Sequence, residues 1–461
     1  MNSNIEINER LKKETIILRT LKLINVILIT IPILIFLISN LWINEKVKFA
    51  EASLIFCTVF FAILYSVLSH FYGGYKIQIS KTSELVLSQI LAIVASSVIT
   101  FILSSLIKHS ILTIMPFVAT LVLQFILALL WVIFIKKWFL NKNFQLRTLV
   151  LFNKRKNVID LINQYEMNGY FKVVDYIDME NYKGNIIDEL EDIECIFVYD
   201  LDNKMRDRIL KYSVKKDIKA FVLPNIGDIL MFGAEKNHLF NLPIFSIMSY
   251  SPKIEYLIIK RLIDIVISLV FIVLLSPIML LIAILIKMED GGDIFYRQYR
   301  QTKDGKIFEI IKFRSMIMDA EKDGVARLST GENDSRITSI GRKLRSLRLD
   351  ELPQLFNILN GDMSLVGPRP ERPEISEQYE KDLPEWSLRL QAKCGLTGYA
   401  QVYGKYNTTN YDKLIMDLLY MSKPSLIQDL KIIFYTVKIL FINEKSTQGI
   451  SEGDTTANFR R

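Results

Sequence analysis

This chain of 461 residues has few cysteines and histidines and no pattern for cleaving a leader peptide. Its three cysteines are far apart and none belongs to a CxxC pair, so we expect reduced thiols, no disulfide framework and no zinc site. Its three histidines have no neighbouring ligand pattern, which argues against histidine-based catalysis or metal binding. No small-residue cleavage site follows the first apolar run, so we expect a retained cytoplasmic lead-in and not a signal peptide.

Apolar residues, in contrast, are abundant. Hydrophobic residues make up 51% of the chain, which is too many for a wholly soluble protein, and the chain is too long for one ordinary domain. The formal net charge of +8 suits anionic partners such as lipid headgroups, nucleotides or phosphorylated lipids. No basic tail or known motif indicates nucleic acid. The composition predicts a membrane protein with soluble parts and no nucleic-acid partner.

Residues 1–140 contain four apolar stretches, at 22–43, 52–69, 85–107 and 111–135. Each has close to the ~20 residues that a membrane-spanning helix needs. Lysines and arginines precede the first stretch and follow the fourth, so the positive-inside bias places both ends of this region in the cytoplasm. We predict a four-helix transmembrane bundle.

Residues 141–250 alternate short β-rich runs with polar helical stretches. The strand-like runs are RTLVLF, YFKVVDYI, IECIFVYD, KAFVLP and LPIFSI. This alternation predicts a parallel sheet with crossover helices, an α/β Rossmann-like domain. The turn after the first strand, FNKRKN, has no glycine, which disfavours dinucleotide binding. A regulatory, structural or dimerising role is the alternative, and a homodimer is compatible with it.

Residues 265–286 form an uncharged apolar run that is interrupted by Ser276 and Pro277. The run is long enough to cross a bilayer, but Pro277 removes a backbone donor and kinks or breaks a helix. Ser276 can satisfy the carbonyl that the proline frees. Hydropathy alone predicts a fifth crossing, whereas the proline predicts a helix, a break and a second helix that returns to the same side.

The stretch 340–374 carries the densest chemical signal. Arg342, Arg345 and Arg348 recur every three residues, which on a helix would form one basic face, functional or merely solvated. Asp350 and Glu351 follow, just before an apolar helical run. They suit an N-cap and a first-turn acid, or a nucleophile and a magnesium ligand beside a phosphate at the helix N-terminus.

Further cations flank this stretch. Arg369 lies between two prolines in VGPRPERP, a rigid setting that would hold its guanidinium for a bidentate grip on phosphate, although proline-rich turns are common. Lys312 and Arg314 end a β-like run with Phe313 on the opposite face. They are either ordinary charges at a strand edge or further ligands of the same anion.

The segments KFRSM, LDELPQLFNILNGDMSLVGPRP and GLTGYAQVYG, in that order after a helix with a Ser-Pro pair, resemble the bacterial sugar transferase family, the monotopic phosphoglycosyl transferases. The resemblance covers about residues 257–445. The upstream bundle and Rossmann-like domain resemble the long form of that family, the polyprenyl glycosylphosphotransferases. The resemblance implies transfer of a sugar 1-phosphate from a UDP-sugar to polyprenyl phosphate with release of UMP, using Mg²⁺, as the first step of exopolysaccharide, capsule or O-antigen synthesis.

The resemblance also implies roles for individual residues. Asp350 would be the nucleophile that forms a phosphosugar-aspartate intermediate, and Glu351 would hold Mg²⁺, with Asp350 as a second candidate metal ligand. The implied phosphate or substrate binders are Lys312, Arg345, Arg369 and Asp417, and we add Arg314 from its position after Lys312. KCGLTG at 393–398 and GK at 404–405 depart from the family's RPGITG and GR, which weakens any guanidinium grip there.

The predicted fold class is therefore a multi-domain membrane protein. We expect the bundle at 1–140, the Rossmann-like domain at 141–250, a re-entrant membrane helix at 251–290, a mostly α (α/β) catalytic domain at 291–445 and a polar tail at 446–461. Nucleotide sugars are cytosolic, so a helix that returns keeps the catalytic domain on the cytoplasmic face of the inner membrane. The competing functions are an inactive membrane scaffold and a polytopic transferase that uses direct displacement, which would need more spans.

Overall fold

The computed structural model describes residues 2–42, 50–141, 144–153, 169–318, 334–404 and 408–441. The chain divides into two compact units, Met1–Leu223 and Pro224–Arg461. The sequence predictions that lie outside the described residues include most of the glycine-free turn FNKRKN, the polar helical stretch NVIDLINQYE that follows it, the lysine at 405 and the polar tail at 446–461.

Four long apolar helices begin the first unit. They are α1 (Asn2–Leu37, continued by a π-helical turn, Ile38–Trp42), α2 (Ala50–Tyr72), α3 (Thr82–Lys108) and α4 (Ile114–Asn141). Each of the four apolar stretches predicted from the sequence lies on one of these helices, apart from residue 43, which is outside the described residues, and residues 111–113, which precede α4. Each contains a segment long and apolar enough to cross a membrane, and the second unit adds one more, which makes five within the described residues. The chain is a membrane protein on these grounds.

Buried polar side chains join the four helices to one another. The Tyr65 hydroxyl donates to Asn25 Oδ1 at 2.8 Å and connects α2 with α1. Gln124 Nε2 on α4 donates to the carbonyl of Ile29 at 2.9 Å, and Ser97 on α3 donates to Gln124 Oε1 at 3.0 Å. Such hydrogen bonds fix how apolar helices pack, because a polar group in hydrocarbon has no water to bind.

A four-stranded parallel sheet completes the first unit. Its strands are β1 (Leu146–Phe152), β2 (Phe171–Asp178), β3 (Cys195–Tyr199) and β4 (Lys219–Val222), in the order β2-β1-β3-β4. Helix α5 (Asn203–Lys215) connects β3 to β4, and a 3-10 turn, Asp188–Leu190, precedes β3. The central strand β1 is buried at all but one position, as a two-sided strand requires.

The prediction that LPIFSI is a further strand of that sheet is wrong. This segment forms β6 (Leu242–Ser246), which pairs antiparallel with β5 (Glu235–Leu239) in the second unit, after helix α6 (Ile226–Phe232). Phe240 and Asn241 make the two-residue turn with φ of 54° and 60°, the geometry that suits the right-handed twist of a hairpin. The break between the units falls after Leu223 and not at 250.

Helix α7 (Ile254–Asp290) is one continuous helix of 37 residues with Pro277 inside it. The prediction of two helices separated by a break is therefore wrong for the secondary structure. Pro277 cannot donate to the carbonyl of Val273, four residues earlier, but the Ser276 hydroxyl donates to that same carbonyl at 2.8 Å. The side chain thus replaces the missing backbone bond, as the sequence suggested, and the helix continues.

The rest of the second unit is a mixed α/β region. Its elements are β7 (Phe295–Gln301), β8 (Ile307–Phe313), α8 (Ser339–Ser346), α9 (Gln354–Asn360), β9 (Ser364–Val366), α10 (Pro373–Asp382), β10 (Gly395–Thr397), α11 (Tyr399–Tyr403), α12 (Asn410–Ser422) and α13 (Leu426–Leu440). β7 and β8 form an antiparallel pair, and β9 and β10 a parallel pair. Ile358, Met363, Trp386 and Leu414 are fully buried in the core that these elements share.

Polar contacts attach α7 to this region. Arg261 donates from Nη1 to the carbonyl of Ile358 at 2.6 Å and from Nη2 to that of Leu359 at 2.7 Å, at the C-terminal end of α9. Asp264 accepts a hydrogen bond from the amide of Leu365 in β9 at 3.0 Å. A cation suits the last carbonyls of a helix, so the membrane helix holds the far end of α9 directly.

Candidate active site

The turn between α8 and α9 carries both candidate carboxylates. α8 ends at Ser346, and Arg348 then takes a left-handed conformation with φ 54° and ψ 23°. Leu349–Glu351 follow as a single 3-10 turn. We call Asp350 and Glu351 the carboxylate pair. Both side chains are half-buried on this short turn between two helices.

Two interpretations of the local sequence are wrong. Arg342, Arg345 and Arg348 do not share one helix face, because the helix ends before Arg348. Asp350 is not the N-cap of the following helix, since α9 starts after Pro353 with no side-chain cap. The left-handed residue and the proline together separate the carboxylate pair from both helices.

Two cations hold Glu351. Lys312, at the end of β8, donates from Nζ to Glu351 Oε1 at 2.9 Å, and Arg369 Nη2 lies 3.4 Å from the same oxygen. Burial opposes ionisation of Glu351, but Lys312 and Arg369 outweigh it and hold its pKa well below the usual range. Glu351 is therefore ionised at any physiological pH.

Asp350 has the opposite electrostatic setting. Burial and the neighbouring charge of Glu351 raise its pKa to about 6, against the opposing attraction of Lys312 and Arg345. Its side chain makes no ion pair or hydrogen bond with other described residues. The carboxylate pair thus combines one firmly ionised, cation-bound group with one that has uncommitted oxygens and titrates near neutrality.

Arg345 lies beside the carboxylate pair on α8. Its Nε donates to the hydroxyl of Ser315 at 2.7 Å, which orients the guanidinium. Burial lowers the pKa of Arg345, and the charge of Asp350 counteracts this. The structure therefore brings together five of the predicted site residues: Asp350, Glu351, Lys312, Arg345 and Arg369.

Arg314 and Asp417 are placed elsewhere. Arg314 forms an ion pair with Asp290 at the end of α7, so it does not join Lys312 at the carboxylate pair. Asp417 on α12 is buried and binds Arg389 Nη2 at 2.7 Å. No contact connects either residue with the carboxylate pair. Arg389, which the sequence analysis missed, stands between Leu388 and Leu390 without any recognisable motif.

The carboxylate pair fits a magnesium ion that is shared with a substrate. The described residues contain no group of three or more His, Cys, Asp or Glu side chains able to hold a metal by themselves. Mg²⁺ commonly uses only one or two carboxylates and takes its other ligands from substrate phosphates and water. The uncommitted oxygens of Asp350 and the second oxygen of Glu351 match that ligand set.

A family model described as bacterial sugar transferase matches residues 255–443. A UDP-glucose:undecaprenyl-phosphate glucose-1-phosphate transferase of Klebsiella pneumoniae is 35% identical over 284 residues, 58% of this chain and 60% of that protein. A UDP-N-acetylgalactosamine-undecaprenyl-phosphate N-acetylgalactosaminephosphotransferase of Aeromonas hydrophila is 35% identical over 237 residues, 51% of this chain and 55% of that protein.

A shorter relative is covered more fully. A UDP-glucose:undecaprenyl-phosphate glucose-1-phosphate transferase of Caulobacter vibrioides is 39% identical over 200 residues, 42% of this chain and 74% of that protein. The chain spans 60% and 55% of the lengths of the Klebsiella and Aeromonas proteins. The residues that the family model matches, 255–443, include the carboxylate pair and its cations.

Proposed function

The chain belongs to the bacterial sugar transferase family, and on that premise we propose that it transfers a sugar 1-phosphate from a UDP-sugar to polyprenyl phosphate and releases UMP. The observation that carries the proposal is the carboxylate pair beside Lys312, Arg345 and Arg369. The similar proteins are named for different sugars, so the proposal extends to UDP-sugars as a class. The product lipid would start an exopolysaccharide, capsule or O-antigen-type glycan.

Asp350 is the nucleophile in this proposal. Its carboxylate attacks the phosphorus that bears the sugar, and the bond from that phosphorus to the bridging oxygen of the diphosphate breaks. UMP leaves with the bond electrons, and the sugar phosphate stays on Asp350 as an acyl phosphate. An oxygen of polyprenyl phosphate then attacks the same phosphorus and frees the Asp350 carboxylate.

The neighbouring charges serve this attack. A carboxylate approaching a diphosphate meets like charge, which the cations Lys312, Arg345 and Arg369 offset. Glu351 keeps Lys312 and Arg369 on one side of the turn through its ion pairs. Mg²⁺, held by Glu351 and Asp350 when bound, would supply further neutralisation of the phosphate oxygens.

Adduct formation tests the proposal. The full chain in detergent or nanodiscs, incubated with radiolabelled UDP-sugars and no lipid acceptor, is expected to release one equivalent of UMP and to gain the mass of a sugar phosphate. Asp350→Asn should abolish both. Asp304→Asn, an exposed acid in the loop between β7 and β8, is the matched control and should keep both. An adduct that persists in Asp350→Asn would exclude this nucleophile, and a sequential kinetic pattern without any adduct would favour direct displacement.

We also propose the membrane arrangement that this chemistry needs. Helices α1–α4 would cross the inner membrane as a four-helix bundle, and α7 would enter from the cytoplasmic face and return to it, bent at Pro277. UDP-sugars are cytosolic, so this keeps the carboxylate pair on the side of its donor. Pro277 supports the proposed bend, because it cannot donate a backbone hydrogen bond to the Val273 carbonyl and so weakens α7 at that point.

Cysteine labelling tests this arrangement. The native cysteines Cys57, Cys195 and Cys394 are buried, so Lys306→Cys on the exposed loop after β7 gives a distinct signal. Lys306→Cys should react with an impermeant reagent only in inside-out vesicles. Replacing Ser276 and Pro277 by Ala and Leu should move that cysteine to the outside. Labelling of Lys306→Cys from the outside while Ser276 and Pro277 are unchanged would refute the re-entrant arrangement.

A further inference from the structure

A fully enclosed ion pair lies beneath the loop that carries Arg369. Arg389 and Asp417 have side chains that are 4% and 2% exposed. Asp417 Oδ2 accepts from Arg389 Nη2 at 2.7 Å and from Nε at 2.9 Å. A buried ion pair of this kind contributes little net stability compared with apolar residues of the same size, so stability alone does not explain its presence.

Arg389 is fixed on two further sides. Its guanidinium lies 4.4 Å from the centre of the Trp386 ring, and that ring is fully buried with its Nε1 donating to Ser376 Oγ at 3.0 Å. On the other side, Arg389 Nη2 donates to the backbone carbonyl of Arg369 at 2.9 Å. A planar guanidinium offers its N–H groups as a fixed fork and stacks flat on a ring, so it serves a carboxylate, a ring face and a carbonyl together better than the compact ammonium of a lysine does.

Arg389 donates to the Arg369 carbonyl at the point where the loop that follows β9 leaves the β9–β10 pair. The amide of Gly367 donates to the carbonyl of Thr397, and the carbonyl of Pro368 accepts from the amide of Gly395, each at 2.9 Å. These bonds hold the residues before Arg369 against β10. The next carbonyl, that of Arg369 itself, is held by Arg389, while the Arg369 side chain is exposed and reaches Glu351 at 3.4 Å.

We propose that Arg389 and Asp417 are positioning residues, which fix the backbone of Arg369 so that its guanidinium meets Glu351 and the phosphates of the donor. Asp417 orients Arg389, Arg389 holds the Arg369 carbonyl, and Arg369 alone contacts the reacting groups. Asp417 is then not a phosphate ligand, contrary to the role that the family resemblance implies. The kinetic part of this inference rests on the proposed function, whereas its structural part does not.

The variants separate the ion pair from the contact it makes. Arg389→Met alone would leave the buried charge of Asp417 unpaired and could prevent folding. Arg389→Met combined with Asp417→Leu removes both charges with apolar side chains of similar size, and we call this double change the apolar variant. Arg389→Lys keeps a charge for Asp417 but cannot also reach the Arg369 carbonyl with a fork. Arg297→Met, which removes an exposed ion pair with Glu309, is the control.

A double-mutant cycle is the kinetic test. The apolar variant and Arg369→Ala should each slow UMP release by about tenfold or more, and the apolar change should cost less than about threefold once Arg369 is already alanine. Arg389→Lys should fold normally and lose nearly as much rate as the apolar variant. Losses that multiply, with the apolar change as costly in the Arg369→Ala background as in the parent, would overturn the proposal.

Hydrogen exchange tests the same inference without any substrate. The amides of Gly367 and Gly395, which donate to Thr397 and Pro368 and hold this loop against β10, should exchange about tenfold faster in the apolar variant and in Arg389→Lys, while those of Ile358 and Leu414 in the core keep the parent rate. Arg297→Met should change none of them. Unchanged exchange at Gly367 and Gly395 would overturn the proposal whatever the rate of UMP release. Failure of the parent chain to release UMP from any UDP-sugar would refute the proposed function and leave this test standing.

Discussion

Opposite effects on stability are expected from neutralising the two members of the carboxylate pair. Asp350 has a pKa of about 6 in the folded chain against an ordinary value of 3.8. A difference of about 2, at about 1.4 kcal/mol for each pKa unit, sets an upper limit of about 3 kcal/mol on what its ionised form costs the fold. Partial exposure reduces this, so we expect Asp350→Asn to raise the free energy of unfolding by about 1–3 kcal/mol at pH 8.

The pH dependence follows from the direction of the pKa change. A carboxyl whose folded-state pKa is raised favours folding fully below its unfolded pKa and loses that contribution as pH rises through the folded value. The gain of Asp350→Asn should therefore be largest at pH 8 and nearly absent at pH 4. Glu351 has a lowered pKa, so its contribution is present at pH 8 and is lost in acid. Glu351→Gln leaves Lys312 and Arg369 unpaired and should cost about 1–3 kcal/mol at pH 8.

Trp386 offers a specific assay. It is the only tryptophan in residues 224–461 and is fully buried, so a background with the other three tryptophans changed to phenylalanine reports unfolding of the second unit. We expect Asp350→Asn to raise that unit's melting temperature by about 3–10 °C at pH 8. Glu309→Gln, an exposed carboxyl paired with Arg297, should change it little. A lower melting temperature for Asp350→Asn at pH 8, or a larger gain in acid than at pH 8, would refute the assigned electrostatics.

Three further changes have defined outcomes. First, formation of the sugar-phosphate adduct should rise tenfold per pH unit below about 6 and level off above it, because Asp350 must be ionised to attack; equal initial rates at pH 5 and pH 8 would contradict this. Second, Arg348→Gly should relieve the strain of a left-handed backbone and stabilise the fold by up to about 1 kcal/mol, yet slow UMP release. Asp200→Gly, at a similar φ, should leave UMP release unchanged. Thermal melts and UMP assays compare the two variants. Third, Ser276→Ala should lower the free energy of unfolding by about 1–2 kcal/mol, because the Val273 carbonyl loses its hydrogen-bond partner. Thr58→Ala is the control: the Leu54 carbonyl loses the Thr58 hydroxyl but keeps the Thr58 backbone amide, so thermal melts should show a smaller effect.

The membrane helices and most of the parallel sheet could be predicted from the sequence because their signals are local. An apolar run of about 20 residues predicts a membrane helix, and a short apolar run predicts a buried strand, without information from the rest of the chain. LPIFSI failed as a prediction because an alternating strand looks the same in a parallel sheet and in a hairpin. Only the turn residues Phe240 and Asn241 distinguish the hairpin from a parallel strand, and phenylalanine is not a residue that indicates a positive φ.

The candidate site was predictable in its members and less so in its connections. Asp350, Glu351, Lys312, Arg345 and Arg369 lie within or beside recognisable strings, and the structure brings them together.

The ion pair of Arg389 with Asp417 had no such signal, because its two members are 28 positions apart and each looks like an ordinary charge in a helical stretch. Arg314 misled for the converse reason. It lies two residues after Lys312 in the sequence, yet its guanidinium forms an ion pair with Asp290 at the end of α7.

The attachment of α7 through Arg261 and Asp264 limits how this protein can adapt to membranes of different thickness. Both anchors lie in the first third of a helix that continues with an apolar run at 265–286, so inserting one residue after Asp264 would rotate that run relative to the anchors by about 100° and shift it by about 1.5 Å. The bend that we propose at Ser276 and Pro277 would then point in another direction. In the proposed membrane arrangement, substitution along α7 can therefore adapt the chain to a thicker or thinner bilayer, whereas a change in the helix's length would alter how the carboxylate pair faces the lipid surface.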